Sequence, residues 1–152
     1  MNKEIEDKVK ELSRRIVGTG QIVVTAESLT GGMISAALTS IPGASEWFER
    51  GFVTYTNQAK HEMLDVPQSI LDRFSAVSTQ TVSQMLEGAP TQLWPWRSAV
   101  SQVRTVQCRA DLSELSLSAG NAKTKWPKWA VTNLKAIARA CASRPFPSPS
   151  KV

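Results

Sequence analysis

The chain has little of what several functional classes require. It holds a single histidine, His61, among its 152 residues, which excludes a multi-histidine metal site and argues against a serine–histidine triad. Its two cysteines, Cys108 and Cys141, are too few for a disulfide framework or a zinc site of their own, so a reducing cytoplasm is the default expectation. No apolar run approaches the ~18 residues of a membrane-spanning helix, and the acidic, helix-like N-terminus does not read as a signal peptide. What is present, 41% hydrophobic and 20% charged residues, is the composition of a globular domain. The length suits one domain with a core of its own.

The net charge of +5 averages two unlike parts. Residues 1–89 carry 8 basic and 11 acidic side chains, a net of −3. Residues 90–152 carry 10 basic side chains against Asp111 and Glu114, a net of +8, together with four of the five tryptophans and six of the eight prolines. So abrupt a shift signals a second module, a basic tail, or a fault in the reading of the gene.

Residues 1–89 alternate between helical and strand patterns. Asn2 can cap a helix with Ile5, Val9, Leu12 and Ile16 on one face. Gln21–Thr25 is a short β-branched run. Gly31 and Gly32 open a small-residue helix, and Ser45 suits a cap for a short turn over 46–50. Gly51–Thr56 is the next strand, Asn57 a cap, and 58–64 and 68–74 are helical. Ser78 caps a last helix whose inner face is Val82, Met85 and Leu86. Helices between strands predict an α/β fold with the sheet covered on both faces. From Trp94 to Asn121 neither period is sustained; Ala130–Ala142 has a basic amphipathic pattern on Leu134, Ile137, Ala138 and Cys141, and Pro145, Pro147 and Pro149 forbid regular structure after it.

Two stretches carry candidate chemistry. In Thr25-Ala26-Glu27-Ser28-Leu29-Thr30-Gly31-Gly32 a strand runs into a serine and then into glycines that start a helix. Ser28 falls at the bend, beside a helix N-terminus whose free N–H groups suit a phosphate or a developing oxyanion. The same spacing also fits Ser28 or Thr30 as a plain helix cap. In Phe52–Lys60, Tyr55 lies at a strand end and Lys60 in the first turn of the next helix, so both can face one sheet edge. A helix N-terminus disfavours a cation by up to ~1 kcal/mol, and such a position lowers an ammonium pKa, as a lysine acting as a base requires. A solvated lysine and a packed tyrosine fit the spacing too. His61 is most simply a surface residue of that helix.

TAESLTGG, followed by IPGASEWFERGFVTYTNQAK, MLDVPQSIL and AVS, resembles the CinA C-terminal domain family, the nicotinamide-nucleotide amidohydrolases, over about residues 5–89. The resemblance implies a three-layer α/β/α sandwich that hydrolyses the carboxamide of nicotinamide mononucleotide to nicotinate mononucleotide and ammonia. By motif it implies Ser28 as nucleophile, assisted by Tyr55 and Lys60, with Thr30, Gly31, Gly32 and Asn57 toward the substrate. It implies no cofactor and no metal, a small-molecule nucleotide as partner, and no membrane, and it leaves homo-oligomer formation open. Leu29 stands where the family usually has cysteine, a change beside the nucleophile that leaves the chemistry alone.

After Ala89 the family's LAVAVSGIAGPDGG, PVGTV and FxGDRxxVR strings are absent. A displaced reading frame accounts for this. Trp94-Pro95 requires TGG-CCN, whose displaced codon is GCC, alanine. Codon by codon, Leu93–Val106 is compatible with LAVAVSGIAGPDG, Asp111–Ser116 with PVGTV, and Asn133–Ala142 with FEGDRxxVR, in one constant displacement. The expectation is therefore an incomplete sandwich: residues 90–152 irregular or disordered, sheet strands short of partners, and a chain that hydrolyses the substrate little or not at all. Two rival readings remain. One is a non-catalytic ligand-binding domain of the same fold. The other is a basic nucleic-acid module using the +8 tail, although its charges and tryptophans share no face of a regular element.

Overall fold

A computed structural model describes residues 3–91, 103–108, 115–119 and 128–142. Helix α1 (Lys3–Ile16) turns Ile5, Val9, Leu12 and Ile16 into the core, and its early Glu4 and Glu6 and late Arg14 and Arg15 complement the helix dipole. Strand β1 (Ile22–Glu27) follows, then α2 (Met33–Leu38), a 3₁₀ turn at Ala44–Glu46, and β2 (Phe48–Val53). Helices α3 (Asn57–Leu64), α4 (Gln68–Phe74) and α5 (Thr79–Thr91) lead to β3 (Val103–Cys108), β4 (Leu115–Ala119) and α6 (Lys128–Ala142).

The four described strands form one sheet in the order β2-β1-β3-β4. β1 is flanked by parallel partners on both sides, and β4 runs antiparallel to β3. Along the β1–β2 pair the register steps by one residue: Val23 faces Phe48, Val24 faces Arg50, and the alignment then holds to Glu27 and Val53. Successive side chains of β1 serve opposite layers. Val23 joins Ile5, Val9, Leu12, Ile34, Leu38, Trp47, Leu134 and Ile137 on one face, while Val24 and Ala26 join Phe52, Leu64, Val66, Leu71 and Met85 on the other. This is the α/β sandwich that the alternating pattern predicts.

Boundaries shift from the sequence expectations at several points. β1 runs two residues past Thr25, to Glu27. β2 starts at Phe48 and not at Gly51, because its pairing with β1 begins at Val23. The short turn is capped by Gly43, whose φ of 81° places it in left-handed space, and not by Ser45. Thr56 caps α3, its side chain accepting from the Ala59 N–H, so Asn57 is the first helical residue. Ser78 caps α5 as expected, accepting from the Thr81 N–H at 3.1 Å.

After residue 90, β3 and β4 form within the stretch where neither period is sustained, and β1 keeps a partner on each side. A strand ladder is made by backbone groups, and Val103, Thr105 and Val106 supply β-branched residues that suit it. The amphipathic pattern at 130–142 forms α6, which seats Leu134, Ile137 and Cys141 against the α1 and α2 layer. The remainder of 90–152 lies outside the described residues, as does Asn2.

Candidate active site

β1 ends at Glu27 and the chain leaves the sheet at Ser28. On the neighbouring strand the pairing continues one step further, with the Thr54 N–H donating to the Glu27 carbonyl at 2.8 Å. That bond sets the loop after β2 alongside the bend after β1. From there Thr56 starts α3, and the fourth residue of that helix is Lys60.

The Lys60 side chain runs back beneath its own helix to Ser28. Its Nζ lies 3.1 Å from Ser28 Oγ, and it donates to the carbonyls of Thr54 at 2.7 Å and Tyr55 at 3.1 Å. The residue is 0% exposed, and no carboxylate is among these partners. Burial therefore pushes the ammonium below its ordinary value of 10.5. The three partners also divide by type. The two carbonyls can only accept, whereas a hydroxyl both accepts and donates. A neutral amine satisfies both carbonyls with its two N–H bonds and is left with its lone pair toward Ser28. The protonated amine fills the same three directions as donors, so a proton can pass from hydroxyl to amine without rearranging the site.

Glu27 is the residue the sequence reading passed over. It is wholly buried and turns toward α2, on the same side of β1 as Thr25. Its Oε2 accepts from Thr30 Oγ1 at 2.7 Å, the Gly32 N–H at 3.1 Å and the Ile34 N–H at 3.0 Å. Its Oε1 accepts from the N–H of Ser35 at 2.8 Å and the Ser35 hydroxyl at 2.5 Å. Ser35 Oγ also lies 2.6 Å from Thr25 Oγ1. One carboxylate thus takes most of the donors that the first turn of a helix leaves open. The signal was available: an acid within the apolar run IVVTAE must be buried, and a buried charge needs partners.

These bonds show what the other expected site residues contact. Thr30 is 1% exposed with its hydroxyl committed to Glu27. The Gly31 N–H donates to the Ser28 carbonyl at 3.1 Å and the Gly32 N–H to Glu27, so neither glycine amide is free for an oxyanion. Gly32, with φ of 96°, serves to turn the chain into α2. Among the described residues the backbone N–H groups of Leu29 and Thr30 have no hydrogen-bond acceptor. The Tyr55 side chain is 67% exposed and only its carbonyl reaches Lys60. Asn57 is exposed, a helix residue one position past the cap. His61 Nδ1 lies 2.9 Å from the Val66 carbonyl, a local contact on the far side of the same turn.

Among the described residues no helix is long and apolar enough to cross a membrane. The sequence matches the CinA C-terminal domain over residues 5–101, past the Ala89 at which the motif resemblance stops. It is 46% identical over 86 residues to the nicotinamide-nucleotide amidohydrolase PncC of Enterobacter agglomerans, a stretch covering 57% of this chain and 52% of that protein. The protein of the same name from Escherichia coli K12 is 42% identical over 86 residues, again 57% of this chain and 52% of the other. The chain thus aligns with about half the length of these curated relatives. The competence/damage inducible protein CihA of Agrobacterium tumefaciens has a similar structure, with a TM-score of 0.64 at 29% identity and 93% of each chain covered. A match that spans the bend of β1, the cap of α3 and the lysine beneath it shows that this chain belongs to the CinA C-terminal domain family.

Proposed function

We propose that the site hydrolyses the carboxamide of nicotinamide mononucleotide, giving nicotinate mononucleotide and ammonia, in the cytoplasm. The observation that carries this reading is the buried Lys60 amine 3.1 Å from Ser28 Oγ, with its other two directions held by carbonyls. The names of the PncC relatives supply the substrate class.

Neutral Lys60 takes the Ser28 hydroxyl proton as Oγ bonds to the carboxamide carbon. The charge on the carbonyl oxygen falls to the amides of Leu29 and Thr30. As the C–N bond breaks, the Lys60 ammonium returns the proton to the nitrogen and ammonia leaves. Water then attacks the acyl-serine ester as Lys60 takes its proton, and the ammonium returns that proton to Ser28 Oγ as the ester bond breaks and nicotinate mononucleotide departs. A serine–lysine pair works without histidine in other enzymes of the SxxK type, at a different spacing. Tyr55 has no step in this scheme beyond its carbonyl.

The frame displacement belongs to the same proposal. Residues from about 90 onward are an out-of-frame reading, so the family's SGIAGP loop and GDRxxVR segment, natural suppliers of N–H groups and an arginine for the substrate phosphate, are missing. The catalytic pair is intact while substrate binding is impaired. Support comes from the constant displacement that regroups three ordered motifs, and from relatives whose sequence match spans only 86 residues. The genomic codons from 89 onward test the displacement, and a run that cannot be regrouped into those motifs rejects it. The catalytic reading is tested by intact-mass detection of an alkyl fluorophosphonate adduct. A single adduct at Ser28, absent from Ser28→Ala, is expected; an unlabelled chain rejects the nucleophile.

A further inference from the structure

We infer that Glu27 is the positioning residue of the nucleophile: its carboxylate ties the bend that carries Ser28 to the first turn of α2 and so holds Oγ opposite Lys60. This rests on the nucleophilic reading of Ser28 given above.

The geometry is specific. Among the described residues Ser28 has no side-chain bond other than the one to Lys60, so the position of its Oγ depends on the backbone of residues 28–32. Among the described residues that backbone has three anchors of its own: the Gly31 N–H to the Ser28 carbonyl, the Met33 N–H to the Thr30 carbonyl at 3.0 Å, and the Ala36 N–H to the Gly32 carbonyl at 2.9 Å. Two adjoining glycines in left-handed conformations, Gly31 at φ 56° and Gly32 at φ 96°, make it a segment with wide conformational freedom when untied. Glu27 closes it from the preceding residue. Five donors converge on its two oxygens, and they come from both ends of the segment: Thr30 and Gly32 within the bend, Ile34 and Ser35 in the helix.

The charge type matters as much as the shape. All five partners donate, and a carboxylate offers only acceptors. Glutamine has the same size, but its NH₂ end would face either the two donors now on Oε1 or the three on Oε2. A buried donor turned against donors loses those bonds and leaves N–H groups unpaired. The same commitment explains why this helix start is no anion site: the carboxylate already occupies it.

Glu27→Gln and Glu27→Asp test the assignment on the full chain, with two readouts. The first is amide hydrogen exchange. Exchange across residues 28–35 is expected to rise at least about tenfold in Glu27→Gln, the scale of one buried charged hydrogen bond, while α1 exchanges as in the parent chain. The second is the rate of fluorophosphonate addition to Ser28, expected to fall at least about tenfold in both variants at temperatures where circular dichroism shows the parent fold. The pH at which labelling rises should stay where Lys60 sets it, which a general loss of structure would not preserve. Glu27→Gln that labels Ser28 at the parent rate overturns the positioning role, as does a variant whose 28–35 exchange is unchanged. Failure of the parent chain to label refutes the nucleophile instead, and hydrogen exchange then decides by itself whether Glu27 orders the bend.

Discussion

At the scale of single residues, the decisive property is the charge state of Lys60. Its folded pKa lies below 10.5 because the amine is taken out of water with no carboxylate to offset the cost. Labelling of Ser28 and hydrolysis should both rise with pH as the amine loses its proton, with a midpoint below that of a free lysine. Lys60→Met removes the base and should lower either rate by about 10²–10⁴-fold with a flat pH profile. The same shift has a stability consequence. Between the folded pKa and 10.5 the unfolded chain binds more protons than the folded one, so the contribution of Lys60 to stability rises with pH across that window. Urea unfolding of the parent and Lys60→Met at several alkaline pH values isolates it as a difference; parallel curves reject the shift. Thr30→Val makes a contrasting case: with the hydroxyl bound to Glu27, the expected effect is a loss of about 1–3 kcal/mol of stability, read by the same unfolding. That Ser28 and Lys60 meet was legible from motif order, and the structure brings them to 3.1 Å. The exposure of Tyr55 was not legible, because a strand-end position does not say which way a ring points. Glu27 was missed because its partners are mostly backbone N–H groups, which have no letter in a sequence.

At the scale of elements, two glycines mark where secondary structures touch. A Cβ on Gly51 would lie 2.2 Å from Ser35 Oγ and 2.7 Å from Thr25 Oγ1, so β2 can sit against the hydroxyl pair that backs Glu27 only without a side chain there. On Gly88 it would lie 1.8 Å from the Leu64 carbonyl oxygen, where α5 crosses the end of α3. Gly51→Ala should cost about 1–3 kcal/mol as an overpacked site. Gly88→Ala should cost more, because the obstacle is backbone and not a hydroxyl that can turn aside; equal unfolding midpoints would refute that ranking. The helices α1, α4 and α5 were legible from apolar spacing and caps. The start of β2 was not: Phe48, Glu49 and Arg50 read as a turn, and only the partner strand makes them extended. The α6 helix was legible in Leu134, Ile137 and Cys141, although its place in the first core face was not.

At the scale of the whole molecule, the Ser28–Lys60 pair and its supports all precede residue 61, while β3 and α6 add to the sheet and its cover. Leu134 and Ile137 are 0% exposed, so Ile137→Ala should cost about 2–5 kcal/mol and show it in the unfolding of the entire domain. A tail that hung free would register no change. On substrate, the chain as it stands should release ammonia from nicotinamide mononucleotide at no more than about a hundredth of the rate of an intact relative, the scale of losing one or two charged contacts to phosphate. Turnover equal to the relative's would reject the impairment. The division into two charge regimes was plain in the composition. That residues 103–108 would nonetheless pair with β1 was not, since a ladder depends on backbone groups common to every residue except proline.

The one-residue step between β1 and β2 has a consequence for how the domain tolerates changes in length. Opposite Val23 and Val24 the outer strand carries Glu49 as a surplus residue. Deleting Glu49 would straighten the strand yet leave the carbonyls of Thr54 and Tyr55 level with the end of β1. Deleting a residue after Val53 has no such slack to draw on: it would drag the carbonyl cradle along by ~3.3 Å and strand the amine. Natural variants should accordingly gain or lose residues ahead of Gly51 and keep the count from Phe52 to Lys60 constant.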